Sequence, residues 1–175
     1  MIERLQFSRY EFPELIDREG YKYAVEVGVN LGQFSYYLLK HSKLETLIAI
    51  DSYRGRFKSA FPGACTLLQP FVDQGRCRLW RFNSINAAES LGRQGEDARP
   101  DFVYIDAAHD EASVAADLKA WAPLVRPGGI LAGHDYCEAH PGVIQAVNKF
   151  AAKTGWEFSL TREAWASWVF RIPQV

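Results

Sequence analysis

Three groups of residues in this 175-residue sequence have the types and spacing to do chemistry. The first is Glu26-Val27-Gly28-Val29-Asn30-Leu31-Gly32, an acidic residue followed by two glycines that let the backbone turn sharply and come close to a ligand. The second is Asp51, 23 residues after Gly28, where a carboxylate can accept the hydroxyl protons of a ribose. The third is the pair Asp106 and Asp135. Two carboxylates brought side by side repel unless something positive lies between them. A hard divalent cation with oxygen ligands would supply that charge and lower the pKa of a bound hydroxyl.

These residues can act together only if the chain brings them to one place, and the apolar pattern predicts how. Runs of strand length cover Tyr23–Val27, Thr46–Ile50, Cys77–Phe82, Asp101–Ile105 and Ile130–Ala132. They alternate with helix-period segments that open at Phe34–Lys40 and cover Glu111–Trp121 and Val143–Ala152. Val114, Leu118 and Trp121 fall at i, i+4 and i+7, one face of a helix that should lie on the sheet. Alternation of this kind marks βαβ units and a parallel sheet. Trp156–Leu160 and Ser167–Ile172 read as two closing strands joined by a short turn, hence antiparallel. The predicted fold is α/β: a Rossmann-like three-layer sandwich with a mostly parallel seven-stranded sheet and an antiparallel closing hairpin. Ligands of such sheets bind beyond the strand carboxyl ends. Gly28, Asp51, Asp106 and Asp135 all fall there.

Composition narrows the class. Hydrophobic residues make up 48% of the chain, enough for a sizeable core, and no repeat or linker divides it, so residues 1–175 read as a single domain. Lys and Arg number 20 against 21 Asp and Glu, so no broad basic field is available for a nucleic-acid backbone, and no nucleic-acid partner is expected. No secretory signal and no apolar run of membrane-spanning length is present. Cys65, Cys77 and Cys137 are odd in number and lack C-x-x-C spacing, which fits a reducing compartment; the expected location is the cytoplasm, with no membrane association. Arg54, Arg56 and Lys58 lie in a segment that could cover the site as a flap. Trp156, Trp165 and Trp168 are expected in the core of the hairpin.

The glycine loop also discriminates between nucleotides. A pyrophosphate calls for G-x-G-x-x-G, whereas here Asn30 stands at the place of the second glycine. S-adenosylmethionine (SAM) has no phosphate and carries an ammonium and a sulfonium, which suits the acidic Glu26. At this point VEVGVNLGQFS, AIDSY and DFVYIDAAHDEASVAADLKAWAPLVRPGGILAGHDY resemble the class I SAM-dependent methyltransferases, from about Tyr23 to Phe150. The likeness is to the small enzymes that include the macrocin O-methyltransferase type and cephalosporin hydroxylase-like proteins.

That resemblance implies roles by position. Glu26, Gly28, Asn30 and Gly32 would surround the methionine part of SAM and Asp51 would hold the ribose, with Ser52, Tyr53, Asn83 and Ser84 near the adenine. In the macrocin-type enzymes a metal is held by an Asp at the place of Asp106 and an acidic pair at the places of His134 and Asp135. Here the first of that pair is a histidine, which suits zinc, iron, nickel or copper better than magnesium. His109 stands where those enzymes place a general base, a task that fits imidazole chemistry near neutral pH. His140, in the loop after Asp135, reads as a solvated side chain. The expected activity is methylation of a hydroxyl on a small-molecule acceptor, with Asp106, His109 and Asp135 facing it. A catalytically silent SAM-binding or partner protein is the alternative from another class. A nicotinamide-dependent oxidoreductase is the alternative enzyme, and the loop sequence opposes it.

Overall fold

Strands β1 (Glu3–Arg4), β2 (Tyr23–Val27), β3 (Thr46–Ile50), β4 (Cys77–Trp80), β5 (Phe102–Ile105), β6 (Ile130–Tyr136), β7 (Phe158–Leu160) and β8 (Ala166–Arg171) form one sheet in a computed structural model that describes residues 2–174. Its order is β1-β7-β8-β6-β5-β2-β3-β4. β4, β3, β2, β5 and β6 run parallel, whereas β8 is antiparallel to both β6 and β7. The expected hairpin is therefore present. The eighth strand, β1, extends the sheet beyond the seven expected: only Glu3 and Arg4 pair with Ser159 and Leu160, too short a run to show alternation in the sequence.

Helices α1 (Phe12–Arg18), α2 (Gln33–His41) and α3 (Phe61–Asp73) cover one face, and α4 (Ser84–Gly92), α5 (Glu111–Trp121) and α6 (Pro141–Thr154) cover the other. Alternate strand residues feed the two faces. Val25, Val27, Val103 and Ile105 pack with Leu91, Leu118 and Val147, while Ala24, Leu47, Phe102 and Tyr104 pack with Phe12, Leu38 and Leu68. A strand buried on both faces is apolar at nearly every position, which is why β2, β3 and β5 read as continuous apolar runs. Leu118 is fully buried, and its truncation to alanine would cost about 2–5 kcal/mol.

Strand order reverses at β2 and β5: β3 and β4 continue to one side, β6 and the hairpin to the other. At such a switch point the loops diverge and leave a crevice at the strand carboxyl ends. No helix among the described residues is long and apolar enough to cross a membrane. All three cysteines are free, with Cys77 buried. Trp168 is buried and Trp156 packs against the core as expected, but Trp165 is 51% exposed, because it lies in the turn between β7 and β8 rather than on a strand.

Candidate active site at the strand carboxyl ends

A cleft of about 760 Å³ opens at the switch point. Its wall includes Glu26, Gly28, Asn30, Asp51, Ser52, Asn83, Ser84, Asp106, His109 and Asp135, so most of the residues singled out in the sequence meet in one cavity. Arg9, Tyr10, Arg56, Phe57 and Phe82 also line it. The basic segment after β3 therefore does reach the cleft, through Arg56, whose guanidinium lies over the Phe57 ring.

The loop after β2 is shaped by close backbone packing. Gly28 has φ +94, and a Cβ there would stand 2.0 Å from the Asp106 carbonyl oxygen and 2.7 Å from the Ala107 Cα. The glycine thus serves the approach of two loops to each other, where the sequence pointed to the approach of a ligand. Asn30, at φ 50, points its N–H at Asp51 Oδ2 (2.9 Å), and the Tyr53 N–H donates to Oδ1 (2.8 Å). Asp51 is held in a fixed orientation by one amide on each oxygen, with further lone pairs left for a diol.

Three expected site residues, Tyr53, Gly32 and His134, do not line the cleft. Tyr53 is fully buried against Ala60, Ala64 and Phe61, and its hydroxyl donates to the Asn30 carbonyl at 3.0 Å, so it braces the loop instead of flanking an adenine. Gly32, at φ +83, starts α2 and faces Leu68 of α3, away from the cleft wall. His134 is not part of the cleft wall and points its Nδ1 at Asp135 Oδ1 (2.8 Å). Asn83 and Ser84 reach the cleft but have work of their own: Asn83 caps α4 by accepting from the Asn86 N–H, and the Ser84 hydroxyl accepts from the Trp121 indole.

Charge is concentrated on the floor. Glu26 is 1% exposed, bonded by the Ser35 hydroxyl, and burial pushes its carboxyl up to about 8, with the negative Asp106 and Asp51 adding to the effect. Arg9, on a short turn before α1, inserts its guanidinium over the Phe34 ring at 4.3 Å and toward Asp106 Oδ2 at 3.4 Å. Its Nε is buried with no partner among the described residues. Sequence reasoning missed Arg9 because nothing local ties residue 9 to the end of β5; only the packing of α1 on the sheet brings it there.

At the ends of β5 and β6 the two carboxylates do come together, and positive groups already surround them. Burial raises the Asp106 carboxyl, opposed by His134 and Arg9. Asp135 sits at φ 62 in the irregular end of β6, a conformation few non-glycine residues adopt, which aims its side chain at two imidazoles. His109 Nε2 lies 2.8 Å from Asp135 Oδ2. Burial would raise the Asp135 carboxyl, but the hydrogen bond from His134 and the neighbouring imidazoles outweigh it and hold it low. Asp106, His134 and Asp135 have donor atoms within 4.8 Å of one another, so the expected metal set is assembled. Its chemistry does not fit a hard cation: one donor is an imidazole, and the Arg9 guanidinium already pairs with Asp106.

His140 departs most from expectation. Its ring packs on His109 (centroids 4.1 Å apart) and meets the edge of Trp165 (5.3 Å). The reason is local to α6: a Cβ at Gly142 would stand 2.5 Å from the His109 carbonyl, so glycine there lets the start of the helix press against the loop after β5. The clue in the sequence was that three of only four histidines lie in or just after the same two strands.

Comparison with known proteins agrees with this architecture. The family described as a methyltransferase domain matches residues 25–136. No curated protein matches the chain. An O-methyltransferase from Bacillus cereus, solved with SAH, superposes with a TM-score of 0.73 at 12% identity over 95% of this chain and 80% of its own. TomG, an O-methyltransferase from Streptomyces achromogenes solved with SAM, gives 0.71 at 16% identity over 95% and 79%. A candidate rRNA methylase from Clostridium thermocellum gives 0.69 at 11% identity over 95% and 98%. At these identities the likeness is one of fold, and the same fold serves acceptors of different kinds. The family match covers more than half of the chain and spans β2 to β6 with the loops that build the cleft, so the chain belongs to the methyltransferase-domain family.

Proposed function

We propose that the chain is a single-domain, SAM-dependent O-methyltransferase acting on a small hydroxyl-bearing acceptor. The observation that carries this reading is one cleft presenting Glu26 for an ammonium, Arg9 for a carboxylate and Asp51 for a ribose diol. Those are the three polar groups of SAM outside its adenine and sulfur. SAM or SAH in the two similar O-methyltransferases supports the same cofactor.

In this reading Gly28, Asn30, Ser52, Asn83 and Ser84 contribute the wall around the cofactor, and the acceptor enters beside Asp106, His109 and Asp135. The acceptor oxygen attacks the methyl carbon in line with sulfur; the C–O bond forms as the C–S bond breaks, and its electron pair stays on sulfur. Alignment supplies much of the rate, since a well-oriented pair avoids the entropy of a bimolecular encounter. His109 takes the hydroxyl proton: with its Nε2–H donated to Asp135 Oδ2, Nδ1 is the nitrogen left to accept it, and Asp135 stabilises the imidazolium that forms. No step here needs a metal.

Calorimetry with SAH tests the cofactor. Wild type should bind, and Asp51→Ala should weaken binding strongly because two ribose hydroxyls lose their charged acceptor. Arg9→Ala should lose affinity for SAH but not for a decarboxylated analogue. Clear binding of NAD with none of SAM or SAH would overturn the reading in favour of an oxidoreductase.

A further inference from the structure

Among the described residues, His109, Asp135 and His140 offer ligand atoms that all lie within 4.8 Å of one another. We propose that these three side chains form a binding site for a borderline divalent cation of the zinc class, one that shares only Asp135 with the Asp106, His134 and Asp135 set. Four observations converge on it. Two imidazoles and one carboxylate match zinc, cobalt, nickel or iron(II), whereas magnesium and calcium require mainly oxygen. Asp135 is oriented from behind, because His134 Nδ1 holds Oδ1 at 2.8 Å while Oδ2 faces His109, the kind of outer contact that fixes a ligating carboxylate. The cation Arg9 sits beside Asp106 at 3.4 Å and so opposes an ion on the other set. An ion can reach this one from solvent, since the His109 side chain is 40% exposed.

The rings are also held in place before any ion arrives. Gly142 brings the start of α6 to within backbone contact of residue 109, and Trp165 closes on the far side of His140. Three protein ligands leave a coordination position open toward water or the cleft, as in sites that exchange a ligand. The site also excludes another role. An ion on His109 takes up the nitrogen that pairs with Asp135 and draws electron density from the ring, so His109 cannot serve as base while the ion is bound. Where the reading in the previous subsection holds, zinc-class ions are therefore inhibitors of methyl transfer, not activators.

Cobalt(II) provides the probe. Chelator-treated full-length protein should take up one equivalent and develop visible d–d absorption, which zinc should abolish and excess magnesium should leave unchanged. His140→Ala should weaken cobalt binding by at least about 10–100-fold, the loss typical of removing even a supporting contact. His140→Gln, which keeps a polar side chain packed on His109, should weaken it as much and separates ligand loss from repacking. Asp106→Asn should leave it unchanged. Zinc sensitivity of turnover, referred to each variant's own metal-free rate, should fall in the His140 variants. Absence of a cobalt spectrum, displacement by magnesium, or binding that survives both His140 substitutions but is lost in Asp106→Asn would overturn the site. The titration needs no SAM, so its failure leaves the methyl-transfer reading standing, and absence of SAM binding leaves the titration valid.

Discussion

His109 shows how much a single side chain depends on its partners. In the proposed reaction a neutral alcohol is a poor nucleophile toward a sulfonium methyl, and its proton must leave as the oxygen attacks. The 2.8 Å contact between His109 Nε2 and Asp135 Oδ2 fixes the ring and selects the tautomer that can take that proton. A positioned base typically contributes about 10²–10⁴ in rate. His109→Ala should therefore lower kcat by that order under metal-free conditions while changing SAM affinity little, as steady-state kinetics at saturating SAM would reveal. A variant that turns over at the wild-type rate would remove His109 as the base. Single residues were unevenly legible. Asp51, Asp106 and Asp135 each end or follow an apolar run, so their meeting followed from the parallel sheet alone. The contacts of Tyr53, His140 and Arg9 depend on how loops fold over one another, which no local pattern encodes.

The elements are joined at the site by two glycine seams. Gly28 lets the loop after β2 lie on the backbone of Asp106 and Ala107, and Gly142 lets α6 lie on the loop that carries His109. In both places the obstacle to a side chain is backbone, which cannot swing aside. Gly28→Ala should cost at least about 1–3 kcal/mol from the positive φ alone, with the 2.0 Å clash in addition. It should also impair SAM binding and catalysis together, because one seam aligns Glu26 and Asp106. Denaturant midpoints alongside calorimetry would test this, and unchanged stability would mean that the two loops can separate. Element identities were readable because β2, β3 and β5 are buried on both faces and α5 places Val114, Leu118 and Trp121 on one stripe. β1, α1, α3 and α4 have no counterpart among the elements expected from the sequence. β1 is only two residues long, and α3 carries an internal proline, Pro70, that interrupts its pattern.

At the scale of the whole molecule, Glu26 makes stability depend on pH and, in the proposed reading, ties it to cofactor binding. Burial lifts its carboxyl to about 8, so the fold favours the neutral acid. That contribution is fully present below the ordinary carboxyl range and is lost as pH rises toward about 8, where the buried group must ionise. The ligand-free protein should therefore melt at progressively lower temperature from pH 5 to pH 8 and change little further from this cause. Glu26→Gln should flatten that slope, and SAH, whose ammonium pairs with the ionised form in the proposed reading, should stabilise wild type most at the upper end. A thermal-shift series over pH with the variant alongside decides it; identical slopes would remove Glu26 from the account. The sequence by itself determined the α/β architecture, the end of the sheet where chemistry collects and the acidic residues gathered there. Strand burial and βα alternation are written in residue periodicity, and a parallel sheet sends every strand end to the same side. Only the tertiary structure decided which charges neutralise which. Arg9 arrives from before α1, His140 from the start of α6 and Ser35 from α2, each placed by packing between elements distant in sequence. These arrivals decide whether Asp106 and Asp135 face a hard cation, a zinc-class ion or a guanidinium. The physical reason is that electrostatic partnership acts over a few ångströms of space, whatever the separation along the chain.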